Sequence, residues 1–535
     1  MTNEGSSARR PRVLVADHIA AEGIALLEGG ADVDVRVGMT AAELVAAIPD
    51  YEALVVRSET KVTAAVIAAA DRLVIIARAG TGVDNVDLDA ATERGVVVVN
   101  APRGNTIAAA EHAFALLMSL ARHIPQADRS LRSGAWRRRE FMGAELRGRT
   151  LGLIGFGPIG SEMARRAVAF EMHVLVSDPF VPAERVRALG AEPVEIDRIY
   201  AESDFISVHT PLTAATRGMV ARDQFAAMKD GVRLINAARG GIIDESDLLD
   251  AVRSGKVAGA ALDVFSREPP GELPLFEEDR IIVTPHLAGS TAEAQERIAT
   301  DVAQQVLDVL AGRPARYPVN APLVPPETLE IMGPYLAVAE MLGTIATQLL
   351  TGQLTTIELG FYGEIAEHDV TPLKAFAIRG LLRPISEQTV NLVNARSIAD
   401  ARGWTIEERL RASHEAFRNV IELRVGSSEA EVTVSGTVHN SLPNLVRAND
   451  FDIDIVPESG GFLLFCENED RPGMIGKLGT ILGQRDINIS AMSVGRRSPR
   501  GFALMILILD EEPDQAAVAL IAAVEGITDV RLVRL

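Results

Sequence analysis

The run GFGPIG at 155–160 follows the apolar stretch TLGLI and opens the helical stretch SEMARRAVAF. Strand, glycine turn and helix in that order admit few folds. The first glycine allows the tight turn, the second lets backbone N–H groups approach a pyrophosphate, and the third lets helix and strand pack closely. The helix N-terminus then stabilises the anion. Asp178 ends the next apolar run, HVLVSD, 18 residues past Gly160. A carboxylate there accepts hydrogen bonds from both ribose hydroxyls and repels a 2′-phosphate. Pro179 and Phe180 follow it, not an arginine. The pattern predicts a dinucleotide site that takes NAD in preference to NADP.

The rest of the chain fits around that turn. Short β-branched runs alternate with Ala-rich helical stretches twice over. The first series is VLVADH (13–18), VDVRV (33–37), ALVVRS (53–58), LVIIARAG (73–80) and VVVVNAP (96–102). The second is TLGLIGFG, HVLVSDP, DFISVHTP, VRLINAAR, GAALDVF and RIIVTPH, from Thr150 onward. Short apolar runs separated by helices point to parallel strands covered on both faces, the pattern of a doubly wound α/β sheet. A periodic helix over 291–310 ends at Gly312-Arg313-Pro314, and the Pro-rich stretch 317–327 reads as a linker. After 330 the text becomes α+β. Helices are expected over 334–351, 372–383 and 386–403, and strands over 356–361, 419–425, 430–438 and 451–456. The last segment reads β-α-β-β-α-β, the ferredoxin-like order. Its strands are expected at 462–467, 487–496, 502–509 and 530–535, and its helices at about 472–485 and 515–524. Residues 1–10 read as a disordered lead.

A length of 535 residues suggests three or four domains. The 53 basic and 73 acidic residues give a net charge of −20, which argues against non-specific binding to nucleic acid or anionic lipid. No apolar run approaches the roughly 18 residues of a bilayer span, and no apolar h-region stands near the N-terminus. Cys466 is the single cysteine, so an intrachain disulfide and a Cys-based zinc site are both excluded. These features predict a soluble cytoplasmic protein with no nucleic-acid or membrane partner.

Three polar residues stand just after expected strands, where ligands bind in open α/β sheets. Arg239 follows VRLINAA, Glu268 follows ALDVF, and His286 follows IIVTP. Each alone has a bland reading as a surface cation, a loop carboxylate or a structural histidine. The other eight histidines (18, 112, 123, 173, 209, 368, 414 and 439) have no comparable company, and none forms an HExxH pattern, so no metal is expected. Together, Arg239, Glu268 and His286 suit hydride transfer from a secondary alcohol. A histidine takes the hydroxyl proton. A carboxylate beside it orients the ring and favours its charged form. A guanidinium grips a substrate carboxylate in a two-pronged fork.

The segments RAGTGVDNVDL (78–88), GFGPIG (155–160), SDP (177–179), VHTPLT (208–213), NAARGGIIDE (236–245), ALDVFSREPP (261–270), TPHLAGST (284–291) and ENEDRPGMIGKLGTIL (467–482) form a specific set. With them the chain, from about residue 12 to its end, resembles the D-isomer-specific 2-hydroxyacid dehydrogenases, and within these the long, ACT-domain phosphoglycerate dehydrogenases. The resemblance implies a flavodoxin-like split substrate-binding domain (12–104 and 291–316) and a Rossmann NAD-binding domain (105–290). An intervening domain (317–457) and a ferredoxin-like ACT regulatory domain (458–535) would follow. It implies that Arg239, Glu268 and His286 are catalytic. NAD contacts fall on Thr81, Gly155, Gly157, Pro158, Ile159, Gly160, Asp178, Thr210, Ala237, Ala238, Arg239, Asp263, His286, Leu287, Ala288 and Gly289. Substrate contacts fall on Arg57, Arg78, Gly80 and Arg239. An L-serine effector would meet Asp470 and Asn488. The activity implied is NAD-dependent oxidation of 3-phosphoglycerate to 3-phosphohydroxypyruvate, the entry to serine synthesis, by a homodimer or homotetramer. The stretch 131–143, with Trp136 among three arginines, is the expected interface anchor. A hydroxypyruvate or glyoxylate reductase shares such a core, although its shorter chain does not account for the roughly 200 extra residues here. An NAD-responsive binding protein would share the fold but not need the Arg/Glu/His set.

Overall fold

The computed structural model describes residues 9–323, 326–387, 390–457 and 460–535. Residues 1–8 of the expected disordered lead, 324–325 of the expected linker and 458–459 at the expected start of the last domain lie outside the described residues.

Strands β1 (Arg12–Val15), β2 (Asp32–Val35), β3 (Ala53–Val56), β4 (Ile75–Arg78) and β5 (Val97–Val99) form an all-parallel sheet in the order β2-β1-β3-β4-β5. That is the flavodoxin-like order. Side chains alternate across a strand, so two apolar faces need two cores. Leu14, Leu54, Val56 and Ile76 pack on one side. Val13, Val15, Ala53, Val55, Ile75 and Ala77 pack on the other, against Ile298, Val302 and Val306 of the helix Ala292–Leu310. The expected returning helix thus completes the first sheet. Its N-terminus is capped by Thr291, whose hydroxyl accepts from Ala294 N.

The second sheet holds β6 (Thr150–Ile154), β7 (His173–Ser177), β8 (Glu192–Pro193), β9 (Phe205–Val208), β10 (Val232–Asn236), β11 (Val257–Leu262) and β12 (Ile281–Val283). All are parallel, in the order β12-β11-β10-β9-β6-β7-β8. The winding reverses between β6 and β9, and this reversal opens a crevice beyond the strands' carboxyl ends.

The Pro-rich stretch is less of a linker than expected. Pro318 bridges Val99 in antiparallel fashion, Val319 N donates to Val98 O at 2.7 Å, and the Asn320 side chain pairs with both Val98 N and Val96 O. Residues 317–320 therefore cover the open edge of β5. From there the chain enters a six-stranded sheet, β13 (Thr356–Gly363), β14 (Thr405–Arg411), β15 (Asn419–Gly426), β16 (Glu431–His439), β17 (Leu442–Ala448) and β18 (Phe451–Ile455), ordered β14-β13-β15-β16-β17-β18. The pattern reading missed β14 and β17. In β14, TIEERLR, six of seven residues are exposed, so no apolar alternation marks it; β17 carries Pro443 and Asn444, residues that read as turn. Of the helix expected over 386–403, residues 388–389 lie outside the described residues, and the described ones are helical only at Ala395–Ala401. Before it, Asn391 Oδ1 accepts from Val393 N, and Asn394 Oδ1 accepts from Asn391 N. Such local side-chain bonds compete with helix. Within the helix Pro326–Leu349, the stretch Thr328–Leu349 is long and apolar enough, by length and composition alone, to cross a membrane, its most apolar 18-residue window having a mean hydropathy of 1.2. Here Val338, Leu342 and Ile345 are fully buried in the core of this α+β unit.

The last unit has β19 (Phe462–Glu469), β20 (Ile489–Arg496), β21 (Phe502–Leu509) and β22 (Ile527–Arg534), with helices Met474–Gly483 and Gln515–Ala522. Its sheet is antiparallel in the order β20-β21-β19-β22, the ferredoxin-like arrangement. Cys466 lies in its core, where burial pushes the thiol up to about 12, so at neutral pH it is a packed apolar group.

Candidate active site

The expected site residues of the second sheet all stand just beyond strand carboxyl ends. Gly155 to Gly160 follow β6, Asp178 follows β7, Thr210 follows β9, Ala237 to Arg239 follow β10, Asp263 and Glu268 follow β11, and His286 to Gly289 follow β12. The topology brings together what the sequence spreads over 135 residues.

The glycine turn has the shape a pyrophosphate requires. Gly155 has φ 96°, and a Cβ there would meet His209 O at 2.6 Å. A Cβ on Gly157 would meet nothing within 4 Å, so the face of the turn is open. Gly157 caps the helix Pro158–Ala169, with Pro158 in its first turn. Asp178 braces this turn from β7: Oδ2 accepts from Phe156 N at 2.7 Å and Oδ1 from Phe180 N at 2.9 Å. Thr210 Oγ1 is buried without a partner. A buried hydroxyl left unpaired beside an open glycine cradle suits a polar ligand in the crevice. The residues present fit a dinucleotide.

Across the crevice lies a cleft of about 680 Å³ lined by residues of both α/β units. Arg57, Arg78, Gly80 and Thr81 come from the first; Glu268, His286 and Gly289 come from the second. His286 Nδ1 and Glu268 Oε2 are 2.6 Å apart. Both side chains keep about half or a third of their surface open, so the far ring nitrogen is free to meet a ligand. Glu268 Oε1 accepts from Phe265 N at 3.1 Å. Burial works against the Glu268 charge, but the His286 ring and the Phe265 N–H outweigh it and hold the carboxyl below the usual glutamate range. The carboxylate is therefore charged wherever the enzyme would work.

Arg239 stands beside this cleft, against Asp84 of its lining. Its Nη1 donates to Ala238 O at 2.8 Å, and its Nε lies 3.6 Å from Asp84 Oδ2. Arg78 is tucked beneath. Burial, with the positive charges of Arg239 and Arg57, pulls its guanidinium down to about 10, so it stays charged at neutral pH. Its Nε is buried with no partner. Gly80 makes this position possible, since a Cβ there would lie 1.6 Å from Arg78 Nη1. Arg57, Arg78 and Arg239 repel one another here, and Asp84 and Asp17 offset only part of that repulsion.

Some residues were not foreseen. Asn236 is almost fully buried; it donates to Arg239 O and accepts from Ala238 N, so it sets the turn that carries Arg239. An Asn at a strand end is a turn signal that was available. Asp84, Lys61 and Asn105 also line the cleft. His112, set aside in the sequence, has company after all: its Nε2 is 3.2 Å from both Asp263 Oδ1 and Thr284 Oγ1. Asp263, expected among the cofactor contacts, is completely buried beneath the 286–288 loop. In the last unit Asp470 Oδ2 accepts from Arg500 N and lies 3.4 Å from Arg496 Nη1, while Asn488 Nδ2 donates to Asp510. Among the described residues no group of three or more His, Cys, Asp or Glu is arranged to hold a metal ion.

Comparison with known proteins agrees with this architecture. Residues 114–288 match the family model of the D-isomer specific 2-hydroxyacid dehydrogenase NAD binding domain. Residues 331–449 match the D-3-phosphoglycerate dehydrogenase intervening domain, and 462–526 the ACT domain. The chain is 44% identical to D-3-phosphoglycerate dehydrogenase of Archaeoglobus fulgidus, over 98% of this chain and 100% of that one. It is 40% identical to the Bacillus subtilis protein of the same name, over 98% and 99%. A solved glyoxylate reductase from Paecilomyes thermophila aligns with a TM-score of 0.54 at 29% identity, covering 58% of this chain and 98% of that one. The reductase thus matches just over half of the present chain. The cofactor is NAD, and the chain belongs to the D-3-phosphoglycerate dehydrogenases, a branch of the D-isomer specific 2-hydroxyacid dehydrogenases.

Proposed function

We propose that this chain oxidises 3-phospho-D-glycerate to 3-phosphohydroxypyruvate, the first step of the phosphorylated route to L-serine. The observation that carries the reading is the His286–Glu268 pair at 2.6 Å on a cleft lined by Arg57 and Arg78. When bound, NAD would supply the acceptor for the hydride on the carbon bearing the hydroxyl. His286 removes the hydroxyl proton at the ring nitrogen that does not face Glu268. Glu268 fixes the ring's orientation and stabilises the imidazolium that results. Arg239 holds the substrate carboxylate, and Arg57 and Arg78 face the phosphate. NADH formation with 3-phosphoglycerate, set beside NADH consumption with glyoxylate and hydroxypyruvate, tests this. Turnover of the unphosphorylated acids alone supports the reductase reading, and no turnover at all supports an NAD-responsive binding protein.

Asp178→Ala tests cofactor choice. The substitution removes a ribose partner and also the brace on Phe156 N. Hydrogen bonds to a charged group are worth about 1.5–3 kcal/mol, so the KM for NAD should rise roughly 10- to 100-fold. The preference over NADP should narrow in the same assay. Equal use of both cofactors by the wild type would remove Asp178 from this role.

The finer features belong to the same reading. Trp136, Met142 and Leu131 are well over half exposed on the 124–143 arm, an apolar surface that suits a second copy of the chain. We read the protein as a cytoplasmic homodimer or homotetramer, and a fully active monomer by sedimentation would contradict the assembly. L-serine is the proposed effector at Asp470 and Asn488. Calorimetry of the full-length protein with L-serine should show binding that Asp470→Ala abolishes. Absence of both heat and inhibition in the wild type would end the sensor role while leaving the dehydrogenase reading in place.

A further inference from the structure

Three consecutive backbone N–H groups end on one residue. His286 N donates to the Asp263 carbonyl at 2.9 Å, Leu287 N to Asp263 Oδ1 at 2.7 Å and Ala288 N to Asp263 Oδ2 at 2.9 Å. Of these, Leu287 N and Ala288 N converge on the carboxylate itself, as in an anion-binding nest, while His286 N is shared with Thr284 O at 3.0 Å. The nest matters because His286 sits at φ 53°. This left-handed conformation is strained in a residue with a Cβ and persists only where the surroundings over-determine it. Asp263 supplies that constraint.

Asp263 is itself completely buried. A buried charge survives only with its hydrogen bonds satisfied. Thr284 Oγ1 donates to it at 2.6 Å, but Thr284 belongs to the same loop segment. The remaining donor comes from elsewhere. His112 Nε2 is 3.2 Å from Asp263 Oδ1, and its helix, Thr106–Arg122, is the first element after the crossover from the other α/β unit. A carboxylate can only accept, so the ring N–H at Nε2 is the donor. The hydrogen bonds from His112, Thr284, Leu287 and Ala288 together outweigh burial and keep Asp263 below the usual carboxylate range.

We propose that His112 is a positioning residue of the reaction: acting through Asp263, it pins the 284–288 loop to the helix Thr106–Arg122 and so holds His286 in register with Glu268. The inference rests on the reading of His286 as the group that takes the substrate proton. His112 meets neither reacting atom; it acts on the loop that carries one of them.

His112→Leu removes the donor and keeps an apolar side chain of similar bulk. His112→Gln returns an N–H at about the reach of ring Nε2. The leucine variant should lose about tenfold in kcat, as expected for a catalytic group held slightly out of place, with the KM for 3-phosphoglycerate unchanged. The glutamine variant should recover most of that loss. Hydrogen exchange on the protein without cofactor gives a second readout: the peptide covering 284–291 should exchange faster in His112→Leu, while peptides from β19 to β22 keep their rates. Unchanged loop exchange in a folded leucine variant overturns the proposal, and so does a kcat loss that glutamine does not recover. If the leucine variant melts too early to assay, His112→Asn, whose amide is too short to reach Asp263, takes its place in the same comparison. If the wild type fails to oxidise 3-phosphoglycerate, the proposed reaction falls, and the exchange comparison still decides whether His112 pins the loop.

Discussion

His286→Ala is expected to lower the rate of 3-phosphoglycerate oxidation by about 10²- to 10⁴-fold, the range for removing a general base, while NADH affinity stays unchanged. The two outcomes separate because the imidazole faces Glu268 and the open cleft, whereas the glycine turn and Asp178 stand at the ends of β6 and β7. Steady-state rates and fluorescence titration with NADH check both halves. Glu268→Gln is the companion: an amide in place of the carboxylate keeps much of the ring's orientation and loses the charge that favours the imidazolium, so its rate should fall between the two. Near-normal turnover in a folded His286→Ala protein would take the proton-transfer role away from this residue.

Arg239→Ala should be the second large effect. Truncating one side of a desolvated, hydrogen-bonded charge pair costs about 2–5 kcal/mol, or roughly 30- to several-thousand-fold in kcat/KM. Arg239→Lys should recover only part of this, because an ammonium lacks the planar fork that matches a carboxylate. The loss should be carried mainly by KM if the guanidinium binds ground state and transition state alike, and kinetics with 3-phosphoglycerate measure the split. Arg78 provides an internal comparison. Its guanidinium is largely buried and its Nε has no partner, so Arg78 keeps hydrogen-bonding capacity for an anion.

Much of this site was readable because its chemistry repeats one local rule. Arg239, Glu268 and His286 each follow a short apolar run, and a parallel sheet places every such position on one edge. The glycine turn was readable for the same reason, since strand, turn and helix are contiguous in the chain. His112 was not readable, because its partner is 151 residues away and nothing near His112 in sequence marks the meeting. Strand β14 was hidden by its charge: with six of its seven residues exposed, no period of two survives. Among the described residues the helix expected from 386 begins only at Ala395; counting apolar spacing overlooked Asn391 and Asn394, whose side chains satisfy the backbone locally in place of helical bonds.

The segment 317–320 sets a limit on how this chain can be divided. By sequence the substrate-binding domain was expected to end at 316, after the returning helix. Yet Val98 N and the carbonyls of Val96 and Val98 are paired by Val319 and Asn320, and Asn100 N donates to Tyr317 O. A fragment cut before Tyr317 would carry a bare, β-branched strand edge, VVVV, of the kind that templates pairing between molecules. Gln305, fully buried in the returning helix, would lose Tyr317 N as the donor to its side-chain oxygen. A fragment that keeps this strand edge covered therefore ends no earlier than Asn320.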